Sequence, residues 1–156
     1  MKKDWDSFYR EIADRLQFLG VSPADLVPCS ESEVEIVEQA AGRGLPSAYA
    51  SFLRIFGKGS GLLFDDVDIY FDSILRANRE AKKVARLGHQ PLPEAAFFFG
   101  TKHEDLFVFF DLADEGEDPP VYRLVPGRSG VDVGWPSFTA MVEQQIDVLE
   151  SVHKRI

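Results

Sequence analysis

The chain has 156 residues, 45% of them hydrophobic and 28% charged, a composition suited to one folded domain with its own core. Its net charge of −9 argues against nucleic-acid binding, which relies on clustered Lys and Arg, and no run approaches the roughly eighteen apolar residues of a membrane-spanning helix. The single cysteine, Cys29, cannot form an intrachain disulfide and the charged N-terminus lacks the apolar stretch of a secretion signal, so a cytoplasmic protein is expected.

The first helix is predicted from about Asp4 to Leu19, with Trp5, Phe8, Ile12 and Leu16 on one face and Gly20 as its stop. The linker VSPADLVPC holds two prolines and lies along the body of the domain. A second helix opens at Ser30, whose S-x-x-E spacing to Glu33 is that of a capping box, and closes at Gly42 and Gly44. Leu45-Pro46 starts a third helix, whose Tyr49, Phe52, Leu53 and Phe56 form an apolar stripe and whose stop at Gly57 is expected to use a left-handed backbone.

After the glycines the period changes. LLFDDVDIYF alternates Val67, Ile69 and Phe71 against Asp66, Asp68 and Tyr70, a strand pattern, and Asp72 or Ser73 then caps a fourth helix reaching about Leu87. That helix sets Ile74, Ala77, Ala81 and Val84 inside and a basic stripe of Arg76, Arg79, Lys82, Lys83 and Arg86 outside. From Pro91 to Val133 the segments AAFFFG, LFVFFDL and PVYRLV read as an antiparallel meander, and Ser137 caps a last helix. The predicted class is α+β in one domain over residues 1–156: N-terminal helices, an antiparallel or mixed sheet of about four to five strands, and a C-terminal helix.

The strongest chemical signal is acidic. Glu104, Asp105, Asp111, Asp114, Glu115, Glu117 and Asp118 fall in a segment without Lys or Arg, and Asp65, Asp66, Asp68 and Asp72 form a second group. Either these acids are solvated turns that keep the sheet soluble, or they form a docking face for a basic protein. A metal site is a poor use of them, because LADEGEDPP lacks the spacing of a calcium loop, and no cofactor motif is present. His89, His103 and His153 have neither H-x₃-H nor H-E-x-x-H spacing, and Cys29 sits in no thiol-enzyme signature. GKGSG, residues 57–61, follows a helix where a phosphate loop would precede one, so it is read as a turn.

Several segments in order resemble the SUKH superfamily: Ser30 and Glu33 opening a helix, then Leu45-Pro46, Tyr49, Phe52-Leu53 and Gly57. Further on, Asp111 ends an aromatic strand, Pro120-Val121-Tyr122 opens the next and Ser137-Phe138 starts the last helix. The family includes a yeast cell-wall assembly regulator and bacterial immunity proteins of toxin systems, so the resemblance implies an α+β scaffold without catalytic residues to carry over. The expected function is an immunity-type protein, monomer or homodimer, that neutralises a cognate and basic protein toxin, for example a nuclease. The expected docking residues are Asp65, Asp66, Asp68, Glu104, Asp105, Asp114, Glu115, Glu117 and Asp118. The alternative is a regulatory or scaffold domain that binds another protein; an enzyme ranks below both.

Overall fold

The structure, a computed structural model, describes residues 4–103, 105–128 and 130–154; Glu104 lies outside them. The chain runs α1 (Trp5–Phe18), a 3₁₀ turn at Pro23–Asp25, β1 (Leu26–Val27), α2 (Glu31–Ala41), α3 (Ser47–Phe56), β2 (Gly59–Ser60) and α4 (Phe71–Leu87). It continues through β3 (Ala96–Lys102), β4 (Leu106–Asp111), β5 (Val121–Leu124), β6 (Asp132–Trp135) and α5 (Phe138–Lys154). β3 to β6 form a four-stranded antiparallel meander, and β1 and β2 a separate two-stranded ribbon, so the fold is α+β.

β3 and β4 are buried on both faces, which is why they read as unbroken aromatic runs instead of alternating with polar residues. Phe97, Phe99, Val108 and Phe110 face the layer built by α1, α2, α3 and α5, whereas Phe98, Phe107 and Phe109 face Ala81 and Ala85 of α4. The small alanines let α4 lie close to the sheet, and the buried Asn78 side chain accepts a hydrogen bond from the Phe98 N–H at 3.0 Å.

The helical layer centres on Tyr49, whose ring meets Phe99, Phe110 and Phe138 at centroid distances of 5.2 to 5.3 Å. Tyr9 of α1 packs edge-on against Phe52 and Phe56 and donates to the Ala48 carbonyl at 2.7 Å. Arg15 bridges α1 to α5 through Asp147 and Glu150. The Ser30–Glu33 capping box is fully formed, with both reciprocal hydrogen bonds in place, and Glu33 also pairs with Lys58 at 3.2 Å.

Four local expectations change. Gly57 has φ −56°, an ordinary right-handed backbone, so its glycine answers to space: an added Cβ would stand 2.3 Å from Cys29 Sγ and 2.5 Å from the Leu53 carbonyl oxygen. The segment predicted as a strand at 62–71 is a chain of turns with one bridge, Asp68 to Thr101, and its last residue, Phe71, already opens α4; Leu63, Phe64 and Ile69 are buried from those turns, and Phe64 takes φ 58°. The first turn of α4 has no side-chain cap, since Tyr70 holds the N-cap position where Asp72 or Ser73 was expected. The meander gains β6, a four-residue and largely exposed edge strand with a glycine, whose sequence carries little strand signal.

Two measurements check this packing. The Tyr49 hydroxyl is buried and has no hydrogen-bond partner among the described residues. Because an orphaned buried hydroxyl costs about 1–3 kcal/mol, Tyr49→Phe is expected to leave the urea midpoint unchanged or raise it; a loss beyond about 1 kcal/mol would contradict the assignment. Gly57→Ala is expected to lower stability by about 2 kcal/mol or more in the same assay, and a wild-type midpoint would show that the Cys29 contact is not tight.

Candidate docking surface

The loop that leaves β4 is acidic and tied down. Leu112 is buried and its N–H donates to the Ala95 carbonyl at 3.0 Å, while Arg43 donates to the Leu112 carbonyl at 3.0 Å from the turn between α2 and α3. Asp111 and Asp114 turn the chain by accepting the N–H groups of Ala113 and Gly116 at 3.1 and 3.0 Å. The Glu117 carbonyl accepts the Ala48 N–H at 2.9 Å. Asp118 accepts both the N–H and the hydroxyl of Thr139 at the start of α5, where Ser137 also accepts the Ala140 N–H at 3.1 Å.

Between this loop and the α2–α3 turn lies an open cleft of about 280 Å³, lined by Arg43, Pro46, Ser47, Asp114, Glu115 and Glu117 among others. Asp114 and Glu115 are exposed and Glu117 is half-buried; none of the three is in an ion pair among the described residues. Asp118 is half-buried and already engaged, and its charge, after burial itself, helps to push the Tyr9 phenol well above its ordinary range.

The remaining predicted acids stand elsewhere. Asp65, Asp66 and Asp68 lie on the exposed turns before α4, and Asp68 pairs through its backbone with Thr101 at 2.8 and 3.1 Å. Gly100 permits that approach, since a Cβ there would meet Ile69 Cγ2 at 2.6 Å. Asp66 pairs with Lys102 at 3.3 Å, and Asp105 follows in the β3–β4 turn. Asp105 and Asp111 therefore sit at opposite ends of β4, about 20 Å apart at the rise of an extended strand. The acids thus form two groups: Asp65, Asp66, Asp68 and Asp105 at one end of the sheet, and Asp111 to Asp118 at the other. Arg43 and Thr139, which hold the second group in place, carry no sequence signal, because their partners lie 69 and 21 residues away.

The candidate reactive groups are dispersed. Cys29 is buried against Gly57, and burial, with Glu33 nearby, pushes its thiol up to about 11, so it is protonated at neutral pH. His103 shares a cleft of about 280 Å³ with Asp68, Arg76, Glu80 and Thr101. His89 and His153 are exposed. Among the described residues no group of three or more His, Cys, Asp or Glu side chains is placed to hold a metal ion, and no helix is long and apolar enough to cross a membrane.

A sheet whose two central aromatic strands are buried on both faces, between α4 on one side and the other helices on the other, defines a small α+β domain. The model of the SMI1 / KNR4 family (SUKH-1) matches residues 28–144, from the end of the linker into α5. The chain belongs to that family, whose members are generally immunity or regulatory domains and not enzymes, and for which a protein partner is the expected ligand. A comparison with curated proteins finds no match.

The engaged and free acids separate by mutation. Asp118→Ala removes a helix cap and is expected to cost about 1–2 kcal/mol of unfolding free energy, whereas Glu115→Ala is expected to stay within about 0.5 kcal/mol of wild type. Equal effects in a chemical denaturation series would contradict the division.

Proposed function

We infer that this protein is an immunity-type binding domain that neutralises a cognate toxin by docking through the acidic loop around Asp114, Glu115 and Glu117. One observation carries the reading: that loop is fastened to the core at Leu112, Glu117 and Asp118, yet leaves three carboxylates without ion pairs among the described residues beside an open cleft. A surface ordered before binding loses little entropy on docking, and unpaired charge attracts a partner of opposite sign. A nuclease toxin suits the chemistry, because an active site that holds phosphates is basic and these carboxylates carry the negative charge that it attracts. Family membership supports a protein partner in general; the loop supports a basic one.

Coexpression with the protein encoded immediately upstream tests the function: restored growth and copurification are expected, and a harmless neighbour that does not bind would contradict it. On the purified pair, Asp114→Lys with Glu115→Lys is expected to slow association at least about tenfold at low ionic strength, with a smaller effect at high salt. An unchanged association rate would remove the loop from the interface while leaving the immunity reading open to another surface.

A further inference from the structure

The outer face of α4 carries a charge pattern that docking at the acidic loop leaves unused. Arg76, Arg79, Lys82, Lys83 and Arg86 are all exposed, and none is in an ion pair among the described residues. Elsewhere Arg15, Arg54, Lys58, Lys102 and Arg123 are each paired with a carboxylate. In a chain of net charge −9, this row of unpaired cations differs in sign from the protein as a whole.

Most of these cations fall on one line. Arg76, Arg79, Lys83 and Arg86 repeat at i, i+3, i+7 and i+10, the three-four alternation that keeps side chains on a single seam of a helix. Asp72, one turn earlier and also exposed, extends the seam, which thus reads acid first and then cations over about 15 Å from Arg76 to Arg86. Lys82 stands to one side of it, and Ile74, Ala77, Ala81 and Ala85 are buried on the opposite side of the helix. The exposed Leu87, one turn beyond Lys83, adds apolar surface at the cationic end.

This pattern discriminates among occupants. A second copy laid antiparallel on α4 would set Arg79 against Arg79, cation against cation. A nucleic acid continues its phosphates well past a stripe of this length, toward Asp72 and the acids at Asp65, Asp66 and Asp68 just before the helix, on a chain whose net charge repels it. An acidic helix of another protein matches the stripe in sign, in length and in spacing, and a protein is the expected ligand of this family.

We propose that α4 docks an acidic helix of a partner protein, laid antiparallel along the seam with carboxylates opposite Arg76, Arg79, Lys83 and Arg86 and a cation of its last turn opposite Asp72. The direction follows from the helix dipole: acids toward the N-terminus and a cation in the last turn stabilise the incoming helix itself, and only the antiparallel arrangement brings that last turn to Asp72. The loop from Asp111 to Asp118 is fastened to α3 and α5, across the sheet from α4, so docking there and docking on the seam stand or fall separately.

Fluorescence anisotropy on the full chain tests the proposal with a labelled alanine-rich peptide of about 18 residues, long enough to form a helix. The peptide carries glutamates at the same three-four spacing on one face and a lysine in its last turn. One control has the same composition with the glutamates spread around the helix; a second has the lysine moved to the first turn. At roughly 50 mM salt the patterned peptide is expected to bind at least about tenfold tighter than the spread control and about threefold tighter than the second. Near 1 M salt, where the screening length falls to about 3 Å, most of that affinity is expected to disappear. Lys83→Ala, on the seam, is expected to weaken binding about fivefold, and Lys82→Ala, beside it, by less than about twofold. Both side chains are exposed, and circular dichroism checks that each variant is folded. No binding at low salt, equal affinity for the patterned peptide and either control, or equal losses from the two variants would overturn the proposal. So would tighter binding of a labelled nucleic-acid duplex than of the patterned peptide, which would make the stripe a phosphate-backbone contact.

Discussion

The structure depends on a pair of strands with no exposed face. β3 and β4 contribute Phe97 to Phe99 and Phe107 to Phe110 to two different cores, and each aromatic ring removed from water adds roughly 2–3 kcal/mol of driving force. A strand buried on both sides has no place for charge. The protein must therefore carry its solubilising carboxylates in the connections and on helix backs, and those connections are where the acids collect: the turns at 61–70, the β3–β4 turn, and the loop from Asp111 to Asp118.

The same constraint gives the acidic loops their definition. A loop next to a dry core brings its backbone groups near that core, where each must find a hydrogen-bond partner. Leu112 is drawn inward, and its carbonyl and N–H are taken by Arg43 and Ala95; Glu117 and Asp118 serve the first turns of α3 and α5. Packing thus fixes the loop, and what remains exposed is charge held in one arrangement. The link from sequence to function passes through this step: phenylalanines set the sheet, the sheet sets the loop, and the loop sets the electrostatic face.

Much of this was legible in the sequence, for identifiable reasons. The Ser30–Glu33 box, the stripe at Tyr49, Phe52, Leu53 and Phe56, and the phenylalanine runs each express a local rule strong enough to survive in the fold. The 62–71 segment misled because its apolar residues reach the core from turns, so the alternation of Val67, Ile69 and Phe71 mimicked a strand without one forming. Gly57 was recognised as necessary but for the wrong cause, since its contact with Cys29 spans 28 residues and no local pattern encodes it. For the candidate site, the acids were visible, but their division into two groups was not: Asp105 and Asp111 are close in sequence, and only an extended β4 carries them apart.

The central claim is that the loop at Asp111 to Asp118 is an ordered extension of the core and not a mobile acidic tail. Amide hydrogen exchange on the free protein, resolved by residue, addresses it most directly through the N–H groups of Leu112, Ala48 and Thr139, which donate to or from that loop. The account predicts protection at all three comparable to that of Phe98 and Phe109 in the sheet, lost only as the domain unfolds. Rapid exchange at those amides while the sheet stays protected would contradict it.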